Sequence, residues 1–423
     1  MDRRYTLKER ASAIFETANS LADELSRLGQ AEPSFEHGLP VAVDPNSGEP
    51  KARDLKQKLH AMVDELNALL TEPYFHLASD RRLPTLSLHP IIRLGIAEHF
   101  PDEGTTVTDL AESLSLGPTV VKRLLKHSAT YHIFYEGEAD FFVHTAASRA
   151  LSKDPGLRDM ILMFHEECAP VWSNIHDAAL KYPTSEEPKH PGWNIGHAMP
   201  DPIPPVPTAS PSRAARFARA MAYVASLSSS STTFLTTAFP FPTTPTTAFT
   251  VVDVGGGHGH ASRSLARHDP HTRFIVQDTA SVIAQGFATL PEHLKHRIAY
   301  QAHDVFQKQP MHGADVYLLR HVLHNWPDTC AVRILRALVP ALKPGAKIVV
   351  SERVLPRRHE VHYLEEREAR HFDLHLLAVL NAMERSLDEW KELFRKADGR
   401  FEFTGVKRPN GAVASVIEVT WTG

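Results

Sequence analysis

Apolar positions divide the chain into an N-terminal part with helical spacing and a C-terminal part where short β-branched runs alternate with helices. Residues 7–28 read as a helix, and a Pro/Gly-punctuated connector runs from Glu32 to Pro50. Leu55, Leu59, Met62, Leu66 and Leu69 then recur at the period of an amphipathic helix over 52–70. Its apolar face suits core packing and a partner chain equally. Ile91 to Phe100 reads as a helix. TTVTDLAESLSLGPTVVKRLLKHSATYHIF reads as two short helices joined at Gly117-Pro118, the first capped by Thr108. FYEGEADFFVHT reads as a hairpin around Gly137, and three helices followed by a hairpin are the outline of a winged helix-turn-helix. One further helix is predicted over 155–182, carrying Met160, Met163, Phe164 and Trp172. A proline-dense loop or lid follows between Tyr182 and Pro211, then a helix over 213–227. The Ser/Thr/Pro-rich stretch after it predicts a mobile surface excursion and no packed helix.

From Phe249 the runs FTVVDVG, RFIVQD, ADVYLLR and KIVVSERVL alternate with the helical segments ASRSLARH, SVIAQGFATL and CAVRILRALVPAL. This alternation predicts an α/β fold with a doubly wound parallel sheet. LDEWKELFRKAD predicts a last helix, and FEFTGVKR with AVASVIEVTW a reversed hairpin at the sheet edge. The boundaries drawn are 1–54, 55–154, 155–248 and 249–423.

Length, composition and charge narrow the function. The 423 residues suit two domains, and 42% hydrophobic with 23% charged residues is an ordinary globular mix that excludes whole-chain disorder. A formal net charge of −4 leaves no global basic field for nucleic acid. The second short helix carries Lys122, Arg123, Lys126 and His127, so DNA binding is weighed, but Asp102, Glu103, Asp109, Glu112, Glu136, Glu138 and Asp140 surround it. Two cysteines, Cys168 and Cys330, exclude a disulfide scaffold. MDRRYTLKER has no apolar run behind its charges, and no stretch approaches the roughly 18–20 apolar residues of a membrane span, so a soluble cytoplasmic protein is expected. No His/Cys/Asp cluster has metal-ligand spacing, and no metal is expected.

The chemistry concentrates at strand ends. TVVDV runs into GGGHGH and then a helix, so Gly255, Gly257 and Gly259 let backbone approach a ligand where free N–H groups face it. A third glycine at the dinucleotide spacing would fall on His260, so that fingerprint fails. Asp253 ends the first strand, Asp278 the second and Asp304, beside Val305, closes the third strand unit. Acids in step at three strand ends point to an adenosine-type cofactor, with Asp278 suited to the ribose hydroxyls. His324 falls just past the end of ADVYLLR, at the ligand-binding edge, whereas His321 is expected to point elsewhere.

DVGGGHG, IVQD, HDVF, LLRHVLHNWPD, GAKIVVSERVLP and MERSLDEW, in this order, resemble the S-adenosylmethionine-dependent O-methyltransferases, in particular the plant caffeate-type and fungal secondary-metabolite enzymes. RLLKHSATYHIF and HTAASRAL extend the resemblance from about residue 55 to the C-terminus. It implies a Rossmann-like catalytic sheet with S-adenosyl-L-methionine as cofactor. It also implies an N-terminal winged-helix domain that makes a homodimer and does not bind DNA. By the same matching His324 takes the place of the general base, with Glu352 and Glu384 as the glutamates that bracket and orient it. Arg320 matches a position on the adenine side that is usually lysine, Asn325 one that is often aspartate, and Asn381 one that lines the substrate pocket. Met163 and Phe164 are further candidates for the substrate wall, against core packing. The implied reaction is methylation of a phenolic hydroxyl on an aromatic natural product such as a polyketide. The rivals are a cyclase or pericyclase that uses the cofactor without methyl transfer, and a winged-helix DNA-binding regulator.

Overall fold

The computed structural model describes residues 6–33, 49–72, 85–197, 211–227, 232–242 and 249–423. Most of the connector expected between Glu32 and Pro50, the end of the proline-dense loop before Pro211, and parts of the Ser/Thr/Pro-rich stretch lie outside them. The chain divides into two compact units, Met1–Pro170 with Val206–Val224, and Val171–Pro205 with Ala225–Gly423.

In the first unit α1 (Leu7–Arg27) opens with a reciprocal cap, Thr6 and Glu9 each bonding the other's backbone N–H. It packs on α2 (Pro50–Leu70) through Leu21, Leu25 and Ala52. α3 spans Thr85–Arg93, earlier than the predicted 91–100, with Pro90 inside it. β1 (Thr105–Thr106) leads into α4 (Val107–Ser113), whose N-cap is Thr106 and not Thr108: the Thr106 hydroxyl accepts from the Asp109 N–H. α5 (Pro118–Ala129) follows, then the hairpin β2 (Phe134–Glu136) and β3 (Phe141–His144), in a sheet of order β1-β3-β2. Ile91, Ile96, Leu110, Val121, Leu125, Phe134 and Phe142 form its core. After α6 (Ala146–Lys153) the expected single helix over 155–182 is broken. α7 (Pro155–Met163) passes into a π-helical turn, Phe164–Cys168, and the helical chain restarts at Ala169 and again at Ile175. Glu166 is the hub of that turn, meeting His89, Arg93 and, from α8 (Pro211–Ser226), Arg216.

The second unit contains a seven-stranded sheet of order β11-β12-β8-β7-β4-β5-β6. Its strands are β4 (Thr250–Val254), β5 (Arg273–Asp278), β6 (Ile298–Ala302), β7 (Val316–Arg320), β8 (Lys347–Glu352), β11 (Phe401–Lys407) and β12 (Ser415–Trp421). β6-β5-β4-β7-β8 run parallel, and the β11/β12 hairpin adds antiparallel at the β8 edge, as its pattern predicts. Strands covered on both faces are continuous apolar runs. Val252, Tyr317, Leu319, Ile348 and Val350 pack one way with Leu335, Trp390 and Phe394, and Val251, Val316, Leu318 and Val349 the other way with Leu265. The Ser/Thr/Pro-rich stretch departs from its expectation. Its TTFLTTA forms α9 (Thr232–Ala238), and Leu235, Ala238 and Phe239 bury themselves against Val251 and Leu265 on α10 (His260–His268). Three apolar side chains suffice because the sheet face supplies the rest of the core.

The sheet's order reverses beside β4, with β5 on one side and β7 on the other, so the crevice for a ligand opens at the carboxyl ends of β4 and β7. Two short strands, β9 (Val354–Leu355) and β10 (Arg385–Ser386), pair in parallel and bring the MERS segment back beside the end of β8. If α9 is core, Leu235→Ala lowers the unfolding free energy by about 2–4 kcal/mol. Urea denaturation followed by tryptophan fluorescence measures this, and a loss below about 0.5 kcal/mol would mark a surface helix.

Candidate active site

The glycine loop occupies one side of the switch point. Gly255, Gly257 and Gly259 take φ of +69°, +57° and +78°, where a side chain is strained. A Cβ on Gly255 would come 2.9 Å from Val322 Cγ2, so the loop packs directly on the turn that follows β7. Asp253 is fully buried under the loop and accepts from the Ser262 hydroxyl at 2.6 Å. Burial pushes its carboxyl up to about 6, with Ser262 pulling the other way. Asp278 accepts from the Gly257 N–H at 2.9 Å and from the Thr279 N–H at 2.7 Å. Asp304 is exposed beyond β6 and accepts from the Phe306 N–H at 3.0 Å, and Val305 packs partly into the core. Arg320 ends β7; burial lowers its guanidinium and Asp253 counteracts. Asp253, Asp278, Asp304, Arg320 and the three glycines therefore share one edge of the sheet.

On the other side, His321 to Asn325 form a tight turn. Glu352, wholly buried at the end of β8, receives three consecutive backbone N–H groups: Val322 at 2.9 Å and Leu323 at 2.6 Å on Oε1, and His324 at 2.9 Å on Oε2. Burial raises the Glu352 carboxyl, opposed first by His324. Glu384, also buried, meets the His324 ring, with Nδ1 and Oε1 3.1 Å apart. A carboxylate at this distance makes Nδ1–H the donor and leaves the Nε2 lone pair, which has no hydrogen-bond partner among the described residues. Burial lowers the His324 imidazole, but Glu352 and Glu384 outweigh it and the net shift is upward. The two glutamates thus divide their work: Glu384 grips the ring, and Glu352 grips the backbone that carries it.

The structure adds residues the sequence reading passed over. Arg385, with no exposed surface, donates to the Leu323 carbonyl at 3.1 Å, the Trp326 carbonyl at 2.9 Å and Asp328 at 2.9 Å. It closes the turn from the side opposite Glu352. Its signal lay in MERS, next to Glu384, with Asp328 in NWPD as partner. Asp373, in α11 (Tyr363–Leu380), accepts from the Glu384 N–H at 2.9 Å; burial raises its carboxyl. Phe372 lies 6.1 Å from the His324 ring and stacks on His375, whose Nδ1 accepts from the Trp172 indole N–H at 3.1 Å. Burial, helped by His371, brings His375 down to about 4, so it is neutral at physiological pH. No local pattern in the helix marks these three residues.

Of the remaining expected residues, two asparagines make bonds within the second unit and two residues belong to the first unit. Asn325 donates to the His321 carbonyl at 2.9 Å and so braces the turn. Asn381, in the left-handed region at φ 51°, donates through Nδ2 to the Ser185 and Glu187 carbonyls at 2.9 and 3.0 Å, tying down a loop. Met163 is buried and Phe164 half-buried, both in the first unit. His321 does not point away from His324: their ring centroids are 5.3 Å apart. Among the described residues, no group of His, Cys, Asp and Glu could hold a metal ion.

Residues 201–400 match the family model described as an O-methyltransferase domain. The chain is 34% identical to O-methyltransferase pyvH of Aspergillus violaceofuscus over 98% of both chains. It is 32% identical to the chlorophenol O-methyltransferase of Trichoderma longibrachiatum over 97% of this chain and 89% of that one. Among solved structures, the LepI complex with SAM superposes at a TM-score of 0.74, with 20% identity, over 96% of this chain and 99% of the other, a likeness of fold.

The shifts predict a titration. His324 should titrate above the ordinary histidine value of about 6.5 in imidazole NMR. Glu384→Gln removes an anion that stabilises the imidazolium, so the midpoint should move down; a midpoint unmoved by the substitution would refute the pairing.

Proposed function

The chain belongs to the O-methyltransferase family, and on that footing we propose that it methylates a phenolic hydroxyl of an aromatic secondary metabolite, using S-adenosyl-L-methionine and His324 as general base. The observation that carries the reading is the buried His324–Glu384 contact of 3.1 Å, which leaves Nε2 as acceptor at the ligand edge of the sheet. A phenol, with a pKa near 10, is a poor nucleophile at neutral pH unless a positioned group takes its proton. Nε2 takes that proton as the oxygen–carbon bond forms, and Glu384 stabilises the resulting imidazolium through Nδ1–H. Glu352 and Arg385 keep the turn in register. The name of the chlorophenol-methylating relative supports a phenolic acceptor.

The residues at the switch point fit the cofactor. Its adenosine and methionine portions would be held by Gly255, Gly257 and Gly259, by Asp278 and Asp304 with Val305, and by Arg320, over the buried Asp253. When bound, it supplies a methyl group activated on a sulfonium. The protein's part is alignment and a preorganised electrostatic surround.

We also read the first unit as a dimerisation domain and the location as cytoplasmic. Leu7, Phe15, Val63, Leu69 and Leu70 stand exposed on α1 and α2, as a self-associating surface requires. The charges weigh against a DNA-reading role: Lys122 pairs with Asp140 at 2.7 Å and Lys126 with Glu136 at 2.6 Å, so acids of the hairpin segment offset two cations of the would-be recognition helix. A cyclase using the cofactor only as a cation would leave the oriented Nε2 base without work.

Incubation with S-adenosylmethionine and a panel of phenols should release S-adenosylhomocysteine, measured by mass spectrometry. His324→Ala should bind the cofactor normally by calorimetry and lose about 10²–10⁴-fold in transfer. Near-normal turnover in that variant would overturn the base assignment, and cofactor binding with no transfer across the panel would favour the cyclase.

A further inference from the structure

His321 is the titratable side chain of the turn that the proposed chemistry leaves unused. It stands at φ 54°, in the left-handed region that glycine or asparagine adopts at less cost. The conformation is held from several sides. The His321 N–H donates to the Ser351 carbonyl at 3.3 Å, its own carbonyl accepts from Asn325 Nδ2 at 2.9 Å, and the next three N–H groups bind Glu352. Strain of this kind persists where the surroundings over-determine it, and it clusters at functional positions. Its product here is an imidazole exposed on the ligand edge, 5.3 Å centroid to centroid from His324 and tilted by 33°. Neither ring nitrogen of His321 has a hydrogen-bond partner among the described residues.

The two imidazoles are chemically unlike. His324 is shifted upward by its glutamates. His321 is held well below the histidine range, first by the surrounding protein and then by Arg320, His324 and Arg353. At physiological pH His321 is therefore a neutral ring, able to donate from one nitrogen and accept at the other. A neighbouring base and neutral partner separated in this way divide two roles at one site.

We propose that His321 is a positioning residue for the acceptor, hydrogen-bonding a second oxygen on the carbon next to, or peri to, the one bearing the reacting hydroxyl. The acceptor class is thus an aromatic vicinal or peri diol, or the matching hydroxy-ketone, gripped at two points so that only one oxygen faces Nε2 of His324. This inference rests on His324 being the base, and deepens it from a phenol to a two-oxygen phenol. A site built to hydrogen-bond an oxygen discriminates against analogues that lack it, because its own polar group is then left unpaired.

The test is a binding measurement that needs no methyl transfer. The full-length protein, loaded with S-adenosylhomocysteine, is titrated calorimetrically with 2,3-dihydroxynaphthalene and with 2-naphthol. The wild type should bind the diol about tenfold tighter, the weight of one hydrogen bond. His321→Gly keeps the backbone conformation and removes the ring; it should abolish the preference while 2-naphthol and S-adenosylhomocysteine affinities stay as they were. His321→Asn, which also tolerates the left-handed region but lacks reach, should do the same. A preference retained in both variants overturns the proposal, as does wild type that binds neither naphthol or does not discriminate. Weakened S-adenosylhomocysteine binding with the diol preference intact assigns the ring to the cofactor instead, and also overturns it. Failure of the base assignment shows separately, as near-normal turnover of His324→Ala.

Discussion

The arrangement of the site depends on one buried carboxylate. Glu352 has no exposed surface and accepts three successive backbone N–H groups from Val322, Leu323 and His324. A carboxylate in such a place is costly unless its oxygens are satisfied, and three N–H donors satisfy it while leaving the turn no alternative geometry. Everything else on this edge follows. The turn carries Val322 against Gly255, so the glycine loop and the His321–Asn325 turn share a packing surface. It aims His324 at Glu384 and forces His321 into a conformation few side chains adopt. Arg385 completes the clamp from behind through the carbonyls of the same segment.

The electrostatics follow the same economy. Two acidic side chains, Glu352 and Glu384, lie buried around one histidine, with Arg385 as counter-charge, and the half-buried Asp373 holds the Glu384 backbone. Burial raises Glu352 and Asp373 and by itself lowers His324, but the facing carboxylates reverse the sign at the histidine. His321, one residue beyond the strand, goes the other way, held down first by the surrounding protein and then by Arg320, His324 and Arg353. The same short turn thus carries two imidazoles shifted in opposite directions, a difference made by surroundings and not by residue type.

Much of the second unit was legible in the sequence. The alternation of β-branched runs with helices specified the parallel sheet, and a last pair of runs specified the edge hairpin, because burial on both faces demands continuous apolar strands. The glycines with left-handed backbone and the acids at strand ends are local features, visible as residue types at fixed offsets. The departures are where local pattern is weak. α9 forms in a Ser/Thr/Pro-rich stretch because the sheet offers Leu235 and Phe239 a core that the segment lacks by itself. The predicted helix over 155–182 breaks at a π-helical turn, where His89, Arg93 and Arg216 converge on Glu166 from other helices.

The sequence by itself determined which residue types stand at the ends of the strands: glycines, three acids, an arginine and a histidine just past β7. It also held the order of motifs that marks the family. Only the tertiary structure decided how they act on one another. Glu352 and Glu384 look alike as glutamates in two motifs, yet one binds backbone and the other binds the imidazole, and the pairing of β9 with β10 brings their two segments together. Asn381, at the left-handed end of its helix, also ties a loop through its amide, a bond that no local pattern announces. His321 is expected from the sequence to point elsewhere; in the fold it takes a left-handed φ just past the strand, and its ring lies 5.3 Å from that of His324. Local chemistry is written in neighbours along the chain, whereas the partner of each buried charge is chosen by the fold.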